Sequence, residues 1–168
     1  LYYVAAKDGA AERHVYRVPE RGGPGVRVTR RPGVHRQPAV SPDGTRVATI
    51  ASDDVTPPEL YVADVRSGLE TRVTRSPLPE FEAFPRVRAR YVTFPSRDGY
   101  TLHARIVAPP DLEPGKVYPV LIGNVYSGTV LNQWSAPRPI SLVQQWLAHT
   151  RGYVSVQVDL RGSVGYGV

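Results

Sequence analysis

Val28-Thr29-Arg30 recurs as Val73-Thr74-Arg75, and the same offset of 45 residues carries Tyr16 onto Tyr61. One residue further on, Val4-Ala5 with Asp8 maps onto Ile50-Ala51 with Asp54. The repeated material is built from short β-branched and aromatic runs: Leu1–Ala5, Arg13–Val18, Val26–Thr29, Gln37–Val40, Arg46–Ser52, Glu59–Asp64 and Thr71–Thr74. Lys7-Asp8-Gly9, Arg21-Gly22-Gly23, Pro42-Asp43-Gly44 and Arg66-Ser67-Gly68 separate them as turns. A period of roughly 40–50 residues with four short strands per unit predicts β-propeller blades. Chance likeness among Arg- and Val-rich strands is the competing reading; the Asp43-Gly44 hairpin turn argues against it. Two such units cannot close a ring, because each buries its apolar face only against its neighbours. Residues 1–76 are therefore expected to be about two C-terminal blades of a larger propeller.

The pattern then changes. Residues 77–86 hold Pro77, Pro79 and Pro85 around Glu80, Phe81, Glu82 and Phe84, without periodicity, and read as an interdomain linker. Val87–Phe94 and Tyr100–Ala108 flank Arg97-Asp98-Gly99 as a hairpin. Lys116–Tyr126 is nearly continuously apolar, as expected for a strand buried on both faces. Pro139–Thr150 places Ile140, Val143 and Leu147 on one helical stripe, with Leu142 and Trp146 beside it, and Gly152 stops it. Tyr153–Val158 is a second buried strand. Strand, helix, strand makes a right-handed βαβ unit. A hairpin leading into parallel strands is how an α/β-hydrolase domain begins, so residues 87–168 are expected to be its N-terminal part.

Composition narrows the chemistry. With no Cys there is no disulfide, thiolate ligand or Cys nucleophile, and cytosolic and periplasmic settings both remain open. No apolar run reaches the length of a bilayer span. The chain has no Met, and residue 1 reads as an internal position of a longer polypeptide. Net charge is +6, but the Arg residues are scattered between strands; they predict a solvated surface or a neighbouring domain, and no nucleic-acid partner. His14, His35, His103 and His149 lack metal-ligand spacing, so no metal or cofactor is expected.

Three ordered patches resemble the prolyl oligopeptidase family, especially its dipeptidyl-peptidase-IV-like and acylaminoacyl-peptidase-like branches. They are Ser96-Arg97-Asp98-Gly99-Tyr100 with Leu102; Tyr118-Pro119-Val120 running into Val125-Tyr126-Ser127-Gly128; and Gly152-Tyr153 followed by Asp159-Leu160-Arg161-Gly162-Ser163-Val164-Gly165-Tyr166-Gly167. The resemblance covers essentially the whole chain. It implies a propeller covering a hydrolase domain that cleaves short peptides through a Ser-His-Asp acyl-enzyme mechanism. The family's Gly-x-Ser-x-Gly elbow is absent from these residues. Ser163 has Gly165 two residues later but Arg161 two before it, so nucleophile, acid and base are expected downstream. An inactive homologue acting as an interaction protein, and a propeller binding module, are the alternatives.

The resemblance implies one catalytic residue here. The family uses a Tyr hydroxyl after the first parallel strand as an oxyanion donor, and Tyr126 matches it; a Tyr capping the strand end is the structural alternative. Many relatives continue with Gly-Gly-Pro or Ala-Gly-Pro, where this chain has Ser127-Gly128-Thr129. Asn132, Gln133 and Trp134 in the same loop could line a substrate cleft or simply pack the loop. Asp159 and Arg161 are expected to organise the glycine-rich loop that follows them. The implied partners are a peptide substrate and the remainder of the parent chain; oligomeric state, homo-oligomers included, is not readable.

Overall fold

A computed structural model describes residues 1–123, 130–134, 140–164 and 166. The chain forms two compact units, Leu1–Pro77 with Asn132–Trp134, and Leu78–Leu131 with Ser135–Val168.

The first unit is all β. β1 (Tyr2–Ala5), β2 (His14–Arg17) and β3 (Val26–Arg27) form a three-stranded antiparallel sheet. β4 (Val34–Val40), β5 (Arg46–Ser52), β6 (Glu59–Asp64) and β7 (Glu70–Arg72) form a four-stranded antiparallel meander. Val15, Val28, Val47 and Ala63 are buried together, with Tyr2 and Val65 packed on them, so both sheets supply one core. A parallel bridge between Arg13 and Val34 joins the sheets; the Arg13 N–H donates to Gly33 O at 3.1 Å and the His35 N–H to Arg13 O at 2.9 Å. Gly33 is required there. Its φ is +124°, and a Cβ would lie 2.2 Å from the Ser52 carbonyl oxygen. The β4–β5 register shifts between Arg36 and Ala39, where Gln37 takes a φ of 50°. Pro38 sits inside that irregularity, where its missing N–H does least harm to the ladder.

The sequence repeat is a repeat of hydrogen bonds. The Val15 N–H donates to Thr29 Oγ1, and 45 residues on the Leu60 N–H donates to Thr74 Oγ1. Val28 N–H bonds Val15 O, and Val73 N–H bonds Leu60 O. Arg27 Nε donates to Thr29 O, and Arg72 Nε to Thr74 O. Each Thr side chain thus closes an outer strand against its neighbour. β1, β2 and β3 correspond to β5, β6 and β7; among the described residues the first sheet has no counterpart of β4.

The second unit opens with α1 (Pro79–Ala83), a single turn inside the stretch expected to be irregular. Pro79 permits it, because proline's fixed φ suits a first helical position. β8 (Arg90–Pro95), β9 (Thr101–Val107), β10 (Val120–Gly123) and β11 (Val154–Asp159) form a sheet of order β10-β11-β9-β8. β10 and β11 are parallel, joined through α2 (Ile140–Arg151); the other pairs are antiparallel.

In α2, Val143 of the apolar stripe is 49 % exposed and Trp146 beside it 41 %, whereas Ser141, Gln144, Gln145 and Ala148 are buried. The buried glutamines have partners. Gln145 holds Val87 by both main-chain groups, accepting from its N–H and donating to its carbonyl, and Gln144 Oε1 accepts from Arg105. A polar helix face is stable in an interior when its groups are bonded. The run before residue 124 is not buried on both faces: Ile122 is 77 % exposed and Val117 93 %. β10 lies at the sheet's edge. Alternation along the strands and the cross-strand register place Val120, Ile122, Val154, Val156, Ala104, Ile106, Val92 and Phe94 on the face opposite Arg105. Val92 and Phe94, like Val120 and Ile122, are exposed on it.

Candidate functional site

In an open α/β sheet, sites form at the carboxyl ends of parallel strands. β11 ends there on Asp159, which is buried and accepts a hydrogen bond from the Tyr166 hydroxyl at 2.8 Å. His103 lies opposite Asp159 in the β9–β11 register, and its ring meets Tyr166 edge-on, centroids 4.7 Å apart. Arg161 pairs with Asp98 and lies over the Tyr100 ring at 4.8 Å. Hydrogen bonds from Ser96 and Arg161 hold the Asp98 carboxyl down at about 2. Asp159 and Arg161 therefore tie the segment after β11 to β9 and to the β8–β9 turn.

Ser163 is buried and its Oγ bonds no partner. An activated nucleophile needs a base within hydrogen-bond reach, and Ser163 has none. Tyr126 lies outside the described residues. No group of three or more His, Cys, Asp or Glu among the described residues could hold a metal ion. No helix among them is long and apolar enough to cross a membrane.

The next loop residues belong to the first unit. The Asn132 side chain is 7 % exposed; its Oδ1 accepts the Asp54 N–H at 3.0 Å, its Nδ2 donates to Glu12 Oε1 at 3.3 Å, and its own N–H donates to Ala11 O at 2.7 Å. Gln133 Oε1 accepts from Arg36 at 2.6 Å, and Trp134 is half-buried. All of Asn132's side-chain capacity shown here is spent within its unit, on Glu12 and Asp54.

Glu12 leads into a polar cluster that spacing along the chain did not reveal. Its Oε2 lies 2.7 Å from His14 Nε2, and His14 Nδ1 is 3.2 Å from Thr29 Oγ1. Thr29 Oγ1 also accepts from the Val15 N–H, and Arg27 Nη2 lies 2.9 Å from His14 Nε2 on the same side as Glu12. His14 and His35 are fully buried with centroids 5.2 Å apart. His35 Nε2 donates to Arg31 O at 3.0 Å, leaving Nδ1 toward Thr49 Oγ1 at 3.4 Å and Glu70 Oε2 at 3.6 Å. Burial pushes the His35 imidazolium below its ordinary value against the opposing pull of the Arg31 carbonyl and Glu70. Burial raises the Glu12 carboxyl, but hydrogen bonds from His14 and Asn132 outweigh it and hold the group below its ordinary value. The signal available in the sequence was the shared His/Glu-to-Thr spacing: His14–Thr29 and Glu59–Thr74 occupy the same repeat positions.

No family model matches the chain. It is 31 % identical over 176 residues to a probable dipeptidyl-aminopeptidase B of Aspergillus clavatus, covering 97 % of this chain and 18 % of that one. The corresponding protein of Aspergillus oryzae is 29 % identical over 177 residues, covering 99 % and 18 %. The chain thus spans about a fifth of the length of the curated relatives it matches. The crystal structure of Porphyromonas gingivalis dipeptidyl peptidase 4 shares the fold, with a TM-score of 0.71 and 23 % identity, over 96 % of this chain and 23 % of that one. Similarity along the whole chain to probable dipeptidyl-aminopeptidases B, on a fold shared with a dipeptidyl peptidase 4, supports a dipeptidyl-peptidase-IV-like relationship within the prolyl oligopeptidase family.

Proposed function

We propose that these residues are part of a serine peptidase that hydrolyses short peptides through an acyl-enzyme. Residues 1–76 are read as the last two propeller blades, 77–86 as the linker and 87–168 as the start of the α/β-hydrolase domain. The observation that carries this reading is the βαβ unit β10–α2–β11 led in by the β8–β9 hairpin, in a chain whose relatives along its whole length are named dipeptidyl-aminopeptidases. The blade reading draws on the hydrogen bonds that recur every 45 residues. The hydrolase reading draws on the exposed apolar face of the second sheet, since parallel strands are ordinarily covered on both sides.

Peptide hydrolysis develops negative charge on the carbonyl oxygen, and one preplaced donor is worth about 3–4 kcal/mol. Tyr126 is the proposed donor; the nucleophile, acid and base lie outside these residues. Asp159 and Arg161 would act by ordering the glycine-rich loop that follows them. The 168 residues alone are expected to hydrolyse no chromogenic dipeptide substrate. Turnover by them that a serine-directed phosphonate blocks would overturn that. In the full peptidase chain, Tyr126→Phe should lower kcat about 100-fold without moving Tm; unchanged kcat refutes the oxyanion role. A full chain without a Gly-x-Ser-x-Gly elbow downstream of Val168 would instead be an inactive interaction protein.

A further inference from the structure

The interior of the second unit holds a positive charge with no described counter-charge. Arg105, at the middle of β9, is 3 % exposed beneath α2. Its Nη1 donates to Gln144 Oε1 and to Gln157 Oε1, both at 2.9 Å. Its Nε and Nη2 are buried and donate to no acceptor. Both amide oxygens therefore crowd one nitrogen, while the other edge of the guanidinium is left over. That edge is the fork whose two parallel N–H groups match the two oxygens of a carboxylate. Amide oxygens carry only partial charge, and a buried cation is ordinarily paired with an acid. Asp159 shares this face of the sheet and accepts from Tyr166, while Glu113 pairs with Lys116 and Asp98 with Arg161.

The polar face of α2 has the same orientation. Gln144 fixes the guanidinium plane from the helix and Gln157 fixes it from β11, so Arg105 is oriented before any anion arrives. The three side chains come from three elements, and such convergence is costly unless the group they hold has a partner.

We infer that Arg105 is a carboxylate socket: its Nε/Nη2 edge takes a planar carboxylate side-on, with Gln144 and Gln157 as positioning residues. The carboxylate is either a free small anion or an Asp or Glu side chain of polypeptide outside these 168 residues. Proton NMR with ¹⁵N-labelled arginine separates the sources. In the 168-residue chain, formate titration should shift the Arg105 Nε–H signal downfield saturably; Arg105→Lys, which keeps the charge but loses the fork, should abolish the response without altering the backbone spectrum. In the full peptidase chain, an Nε–H already shifted, slow to exchange and indifferent to formate assigns the socket to a side chain. A saturable formate response in both chains assigns it to a free anion. No formate response in the short chain together with a rapidly exchanging Nε–H in the long one overturns the inference. The formate titration needs no assumption about peptidase activity, so its failure and the failure of the proposed function are separately visible.

Discussion

Replacing Asn132 by Ala removes an acceptor and a donor at once. The Asp54 N–H, on a residue only 2 % exposed, loses its Oδ1 acceptor where water does not readily replace it. Such a group costs about 1–3 kcal/mol. Loss of the Nδ2 donor to Glu12 adds less, because that carboxylate is 26 % exposed and keeps His14. The sum is about 2–3 kcal/mol of the first unit's stability. With a urea m-value of about 1 kcal/mol/M for a unit of this size, the midpoint falls by about 2 M. The assay is urea titration read at the Val15 and Val47 amides, which report the first unit's core alone. Asn132→Asp sharpens the test. It keeps an oxygen for Asp54 but sets a second carboxylate against Glu12, so it should destabilise at neutral pH and recover part of the loss in acid. A change under about 0.5 kcal/mol for Asn132→Ala, the range of ordinary surface substitutions, would refute the reasoning.

Three further outcomes follow from the same cluster and its seam. His35 is buried neutral with its imidazolium pushed below 6.5, so the unfolded chain binds the proton more readily. Its contribution is complete above 6.5 and is lost as pH falls from there through the folded value; His35→Gln should flatten that part of a stability–pH profile, and an unchanged slope rejects the assignment. Glu12 acts in the same sense in a lower window: held below 4.5, it contributes above 4.5 and loses that contribution on further acidification. Glu12→Gln should therefore reduce the dependence only in the acid limb, measured by the same titration. Gly33→Ala should cost more than any surface change, since both φ and the Ser52 carbonyl forbid a Cβ; a wild-type Tm would show that the bridge at Arg13–Val34 can move.

The two halves differ in how far they could be read. In the first, strands alternate, turns carry Gly and Asp, and the repeat supplies a second copy of each inference. β5 and β6 fall at the predicted residues, Arg46–Ser52 and Glu59–Asp64. β4 starts earlier than expected, at Val34, because pairing with β5 extends it past the Gln37–Pro38 irregularity. In the second, the helix was legible over 140–151 but its buried face was not. Periodicity assigns apolar residues inward, and nothing local announces that Gln144 and Gln145 will meet Arg105 and Val87.

The sequence by itself determined the strand-and-turn grammar, the 45-residue repeat, the βαβ order and the resemblance to a peptidase family. These depend on neighbours along the chain: side-chain alternation, turn propensity, helix periodicity. Tertiary structure alone decided that Asn132 belongs to the first unit, 78 residues from the amide it accepts, and that Arg105 lies buried against two glutamines 39 and 52 residues away. Burial of a polar group is favourable only once its partner is in place, and a partner that distant is chosen by the fold.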